Sequence, residues 1–153
     1  MHGLIIYGIK EGNDNMRAVY NYHVMDIVHR GHLLQMQNAK RMAGKDGISI
    51  VGILTDEAVM EKKPRPTLEF VERMNLAKII SYNDVVVAQD TYSPIPNIKK
   101  LKPDIVLESD SHKKEEIEEV RKVVESYGGR LFIMPYYPGI SSTEIKEKVR
   151  KEK

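Results

Sequence analysis

Two histidines three residues apart, His29 and His32, bracket Gly31 in the stretch Asp26-Ile27-Val28-His29-Arg30-Gly31-His32. At the start of a helix this spacing gathers both imidazoles where backbone N–H groups and the positive end of the macrodipole favour anions. Gly31 clears a side chain from the line of approach, and each ring can donate to a phosphoryl oxygen. Phosphoryl-type chemistry suits such a set. Two plainer readings compete with it. The histidines can serve as helix caps, or Asp26, His29 and His32, recurring every third residue, can imitate a two-histidine, one-carboxylate metal set. The metal reading needs Asp26 to share a helix face with the histidines, and no metal ligand is assigned.

A second group of phosphate-suited residues lies near the end of the chain, in Gly139-Ile140-Ser141-Ser142-Thr143. The hydroxyls of Ser141, Ser142 and Thr143 would stand at another helix N-terminus, with Ser141-Ser142-Thr143-Glu144 as a capping sequence in which Ser141 is the cap. Between the two lies a charged, proline-stiffened loop, Glu61-Lys62-Lys63-Pro64-Arg65-Pro66. It reads either as a solvated charge run or as a mobile loop that stands open until phosphates neutralise it.

For these residues to meet, short apolar runs must alternate with segments of helical period, as they do in a parallel sheet with crossover helices. Strands are expected over 3–9, 17–25, 48–54, 84–88, 104–107 and 130–134, the first of them as an added edge strand. Helices are expected over 31–43, 68–80, 97–101 and 113–126, with a last one from Ser141. Gly44 and the Tyr127-Gly128-Gly129 run stand where helices commonly stop. The fold class is therefore α/β, an open, mainly parallel sheet with helices on both faces. The histidine pair falls at a strand-to-helix junction, which is where such sheets bind ligands.

His29-Arg30-Gly31-His32, the segment from Lys63 to Arg73, and Gly139-Ile140-Ser141-Ser142-Thr143 together resemble the cytidylyltransferase-like superfamily of H-x-G-H nucleotidyltransferases. The resemblance runs from about 17 to 150 in the family's order. It looks closest to the glycerol-phosphate cytidylyltransferase type and to the cytidylyltransferase domains of phosphonate biosynthesis, through Val51-Gly-Ile-Leu-Thr-Asp56 and Leu101-Lys-Pro-Asp-Ile-Val106. It implies a Rossmann-like fold and transfer of CMP from CTP to a small phosphonate or phosphate alcohol, with pyrophosphate released and Mg²⁺ carried by the nucleotide. ATP in place of CTP, and a catalytically silent nucleotide binder, are the alternatives.

On the same resemblance His29, His32 and Lys63 are the catalytic residues. Asp26, Gly31, Arg73, Asp110, Gly139, Ser141, Ser142 and Thr143 contact the nucleotide. Arg73 has a second reading as a partner of Glu69 one turn earlier, and Asp110 follows a strand end as a G-D-type family element does. Two positions depart from the pattern. His23 stands near the place of a family glycine, and Ser109 replaces the glycine ahead of the aspartate.

Composition limits the remaining possibilities. The 153 residues suit one domain, set at 17–150 behind an extension of 1–16. With 24 Lys and Arg against 22 Asp and Glu, the net charge of +2 gives no field that argues for nucleic acid. Absence of cysteine removes disulfides and thiolate chemistry and accords with a cytoplasmic setting. No apolar run approaches the roughly 20 residues that span a bilayer, so no membrane partner is expected. A homodimer is expected from the resemblance.

Overall fold

The computed structural model describes residues 16–135 and 141–152; the expected strand over 3–9 lies outside them. Five strands form one sheet: β1 (Ala18–His23), β2 (Ile48–Leu54), β3 (Val85–Gln89), β4 (Ile105–Ser109) and β5 (Arg130–Met134). Their order across the sheet is β3-β2-β1-β4-β5, and every neighbouring pair is parallel. Chain order reverses between β1 and β4, which opens a crevice at the C-terminal ends of those strands. The Rossmann-like α/β fold follows from this arrangement.

Helices cover both faces because the strand residues alternate. On one face Val19, Val51 and Ile53 meet Met36, Ala39 and Ala43 of α1 (Arg30–Ala43), with Ala77 of α3 (Phe70–Ile79). On the other, Tyr20, Ile50 and Val106 meet Ile98 of α4 (Ile95–Leu101) and Ile117, Val120 and Val124 of α5 (Lys114–Ser126). β2 is buried at six of its seven positions, as expected of a strand covered on both sides. The final helix, α6 (Ser142–Lys151), has no buried residue, so packing alone does not hold it in place.

Helix ends fall where the residues dictate. α1 stops at Gly44, whose φ of 78° lies in the left-handed region and whose N–H reaches the carbonyls of Lys40 and Arg41. One helix escapes the periodicity: α2 (Asp56–Met60) is a single short turn after β2, too brief to repeat an apolar face. Its signal is at its start, where Thr55 caps Ala58 N–H through its hydroxyl and Asp56 and Glu57 follow. At the opposite edge of the sheet two aspartates secure strand starts. Asp104 accepts from Ala18 N–H at 2.8 Å, and Asp84 accepts from Ser49 N–H at 2.9 Å and from Lys40 at 2.7 Å.

Near the centre of the sheet, Tyr20 donates to Gln89 Oε1 at 2.6 Å and accepts from Asn97 Nδ2 at 3.0 Å. Gly52 makes room for this pair. A Cβ built there would lie 2.0 Å from the Tyr20 hydroxyl oxygen and 3.2 Å from Gln89 Oε1. Gly52→Ala is therefore expected to destabilise the fold by about 1–3 kcal/mol, the usual cost of overpacking. Urea unfolding of the two proteins would measure it, and equal midpoints would show that Tyr20 moves aside freely.

Candidate active site

The loop from Val24 to Val28 carries the chain from the end of β1 to the start of α1. Met25 takes a left-handed φ of 58° there, and its side chain is fully buried. Asp26 follows in the loop, outside the helix, which removes it from the face of His29 and His32. Both of its carboxylate oxygens are engaged: Oδ2 accepts from Thr67 N–H at 2.9 Å and from the Lys146 ammonium, and Oδ1 accepts from Leu68 N–H at 2.8 Å. Burial alone would raise this carboxyl, but the Leu68, Lys146 and Thr67 bonds outweigh it and hold Asp26 below its usual value. Among the described residues no group of three His, Asp or Glu could hold a metal ion, so the facial metal set is not formed.

His29 is the N-cap of α1. Its Nδ1 accepts from Gly31 N–H at 3.0 Å, while His32 Nδ1 accepts from His29 N–H at 3.2 Å, a reciprocal capping box. This bonding fixes the chemistry of the free edges. A ring nitrogen that accepts a backbone N–H bears no proton, so in each neutral ring the proton resides on Nε2. The capping reading and the phosphate reading are thus compatible, because capping uses Nδ1 and leaves each Nε2–H as a donor.

The two rings lie 4.0 Å apart between centroids. A third imidazole joins them: His23 meets His32 edge-on at 5.5 Å, and its Nε2 lies 2.7 Å from Asn21 Oδ1. Asn21 is itself oriented by donating through Nδ2 to Ile50 O. The position that departs from the family pattern therefore fills the space beside His32. Burial lowers all three histidines, and mutual repulsion adds to this for His23 and His32; the His32 ring is brought to about 4. Neutral imidazoles are the resting state.

Helix α6 reaches the same place. Ser142 Oγ donates to Ile27 O at 2.9 Å, two residues before His29, and Lys146 one turn later pairs with Asp26. Ser141 caps the helix by accepting from Glu144 N–H at 3.1 Å, as its sequence context predicts. Thr143 is exposed in the first turn. Gly139 lies outside the described residues. The histidine pair and the Ser142 helix start therefore border one crevice at the C-terminal edge of the sheet.

Arg73 does not pair with Glu69. It is 0% exposed and donates to Leu68 O at 3.0 Å, Val24 O at 2.7 Å, Leu54 O at 2.6 Å and Asp56 Oδ1 at 2.7 Å. It shapes the crevice from behind. Asp110 lies just past β4, where its N–H donates to Met134 O at 3.2 Å. The Lys62 to Pro66 loop, expected to stand open, is instead tethered: Lys62 bonds Glu116 at 2.5 Å and Arg65 approaches Asp56 at 3.6 Å. Lys63 is exposed, its ammonium 5.9 Å from the centre of the Tyr92 ring.

Beside this loop the same sheet edge holds a cavity of about 260 Å³, lined by Tyr22, Lys62, Tyr92, Glu108, His112 and Glu116 among others. The sequence pattern gave no sign of it. Its members come from the ends of β1 and β4, the segments that follow β2, β3 and β4, and the first turns of α5, and only the fold brings them together.

Comparison with known proteins identifies the family and the fold. The profile of the family described as Cytidylyltransferase-like matches residues 24–148. The bifunctional protein HldE of Citrifermentans bemidjiense is 31% identical over 142 residues, covering 92% of this chain and 28% of that protein. HldE of Alcanivorax borkumensis is 28% identical, covering 89% of this chain and 28% of its own length. The chain thus spans little more than a quarter of these relatives. Among solved structures, the lipopolysaccharide core biosynthesis protein of Thermoplasma volcanium has the same fold, with a TM-score of 0.67 at 19% identity over 82% of this chain and 99% of its own.

Two outcomes test this site directly. In the free protein His32 is expected to stay neutral down to about pH 4, so stability should decline as pH falls from 6.5 towards that value, where the unfolded chain binds the extra proton. Imidazole NMR shifts report it, and a His32 midpoint near 6.5 would contradict the buried arrangement. Asp26, held low, stabilises above its unfolded value and loses that contribution as pH falls through its folded one. Asp26→Asn should therefore cost about 1–3 kcal/mol at neutral pH and flatten the acid limb of the stability curve. An unchanged acid limb would show that Asp26 does not clamp the loop.

Proposed function

We propose that this chain, which belongs to the Cytidylyltransferase-like family, is a nucleotidyltransferase that joins a nucleoside monophosphate to a phosphate- or phosphonate-bearing small molecule. The observation that carries the reading is the convergence of two neutral Nε2–H donors, on His29 and His32, with the start of a second helix anchored by Ser142 to Ile27. A triphosphate laid along this crevice would meet two helix N-termini at once. CTP is the donor that the motif resemblance implies, the family match holds equally for a donor of another base, and ATP is the rival that the assay separates.

In the proposed reaction an oxygen of the acceptor's phosphate or phosphonate attacks the α-phosphorus in line. The new O–P bond forms as the α-phosphorus to bridging-oxygen bond breaks, and pyrophosphate leaves with that electron pair. No proton need move, because the attacking oxygen is already anionic at neutral pH. What the protein must supply is position and charge stabilisation. Nε2–H of His29 and of His32 would donate to the α-phosphoryl oxygens and the leaving group. Because the capping box holds both rings before substrate arrives, little reorganisation is needed at the moment of transfer.

Lys63 lies on the loop beside the cavity, next to Tyr92, and would extend its ammonium from there to the phosphates. Ser141, Ser142 and Thr143 would present the first turn of α6 to the far end of the triphosphate. Gly31 and Asp110 border the same strand ends, while Asp26 and Arg73 act by holding the loops in place. Mg²⁺ bound to the triphosphate would neutralise charge across the phosphates, and such an ion commonly takes few protein ligands.

Pyrophosphate release from each of the four nucleoside triphosphates, with phospho- and phosphono-alcohols as acceptors, tests the reading. His29→Ala and His32→Ala should each lower turnover by roughly a hundredfold or more, the loss expected for one preorganised donor. No release with any pairing would leave a silent nucleotide binder, and wild-type turnover in either variant would reduce the histidines to caps.

A further inference from the structure

The cavity of about 260 Å³ on the opposite side of β1 from the histidines is built around a carboxyl group that the transfer chemistry does not use. Glu108, at the end of β4, is 1% exposed. One of its oxygens accepts from the Tyr22 hydroxyl and lies 3.4 Å from His112 Nε2; the other is buried with no hydrogen-bond partner among the described residues. A buried carboxyl oxygen left without a partner costs free energy, and a fold that retains one at the wall of a cavity leaves a place for a donor brought by a ligand.

Resting on the reading above, we infer that this cavity holds the organic part of the acceptor and that Glu108 is a specificity-determining residue, its unpartnered oxygen accepting from an acceptor hydroxyl. Two observations support the placement and the chemistry. Lys62 lines the cavity and Lys63, the lysine assigned to the phosphates, lies 5.9 Å from the ring of Tyr92 on the same wall, so an acceptor seated here would direct its phosphate towards the crevice. Tyr22 and Tyr92 offer ring faces and Pro94, Ile117 and Val120 apolar surface, which suits the carbon skeleton of a polyol.

The rim charges do not choose between a hydroxyl and an ammonium, because Glu61, Glu116 and Glu119 line the cavity beside Lys62, which is itself paired with Glu116. The choice falls to Glu108. Burial and the nearby Glu116 push Glu108 up to about 7 despite the Tyr22 bond, so its carboxyl is half protonated near neutrality. A hydroxyl can both give and take a hydrogen bond and accommodates either form, whereas an ammonium requires the anion.

Three probes of one length separate the possibilities: glycerol 3-phosphate, propyl phosphate and 3-aminopropyl phosphate, each offered to the whole chain with the triphosphate that it uses. Wild type is expected to transfer to glycerol 3-phosphate with a kcat/KM at least a hundredfold above that for propyl phosphate, since a site built for a hydroxyl leaves its own polar group unpaired when the hydroxyl is missing. Glu108→Leu should bring the two within a few-fold of each other while leaving the KM for triphosphate unchanged, a readout that a general packing defect would not spare. Should Glu108→Leu fail to fold, Glu108→Met, which keeps the length of the side chain and lacks its oxygens, is read in its place with the same expected outcome.

Equal use of glycerol 3-phosphate and propyl phosphate, or a preference for the amine, would overturn the inference while leaving nucleotidyl transfer in place. So would triphosphate binding with no transfer to any of the three. Loss of the proposed function is a separate result: wild type that neither binds a triphosphate in a His29- and His32-dependent way nor releases pyrophosphate would remove both.

Discussion

A single buried guanidinium determines where the crevice can form. Arg73 projects from α3 into the space between the ends of β1 and β2, where it takes the carbonyls of Val24, Leu54 and Leu68 and the carboxylate of Asp56. Val24 has just left β1, Leu54 ends β2 and Leu68 lies just ahead of α3, so each carbonyl stands where regular structure stops or has yet to begin. Four charge-assisted bonds compensate for desolvating the cation, and breaking such a set by removing one partner commonly costs about 3–5 kcal/mol. With Arg73 in place, the loop after β1 cannot swing outward. Asp26 then meets the N–H groups of Thr67 and Leu68, and through Lys146 fixes the last helix. The histidines depend on that sequence of contacts, because α1 starts where this loop ends.

The same hierarchy separates what the residues announce from what only the fold reveals. Strand and helix identity was legible wherever apolar period and stop signals agreed: Arg130–Met134 matches the expected bounds, and α1 and α5 differ by one residue at one end. The short α2 was not, since five residues cannot display a period of 3.6, though Thr55, Asp56 and Glu57 mark its start. The histidine pair and the Ser141 cap were legible because each is a local arrangement within one turn of chain. The partner of Arg73 was not, since Glu69 and Asp56 are equally plausible by charge and only tertiary packing selects Asp56.

His23 illustrates the same limit from the other side. As a sequence feature it is a bulky residue where a glycine is usual. In the structure it is the third imidazole of a cluster whose innermost contact is Asn21 and whose outermost ring is His29. His29 lowers the proton affinity of His32, and both lower that of His23, so the buried end of the cluster is the most firmly neutral. At a site proposed to meet a polyanion, neutral rings bear on specificity. Neutral donors bind phosphate by directed hydrogen bonds, with less of the long-range attraction that would hold product pyrophosphate as tightly as substrate.

Strand alternation explains how one edge of a sheet can serve two partners. Tyr22 and His23 are consecutive, and the period of two sends them to opposite faces. His23 goes to the α1 side with the other histidines, and Tyr22 goes to the α5 side, where it donates to Glu108. A molecule in the cavity and a triphosphate on the histidines would thus be divided by the thickness of one strand end, with the Lys62–Lys63 loop passing over the cavity side. In-line attack requires the acceptor oxygen to approach the α-phosphorus from the side opposite the departing pyrophosphate. Were both subsites occupied as proposed, their placement on opposite faces of the β1 terminus would favour that opposition with no rearrangement of the sheet.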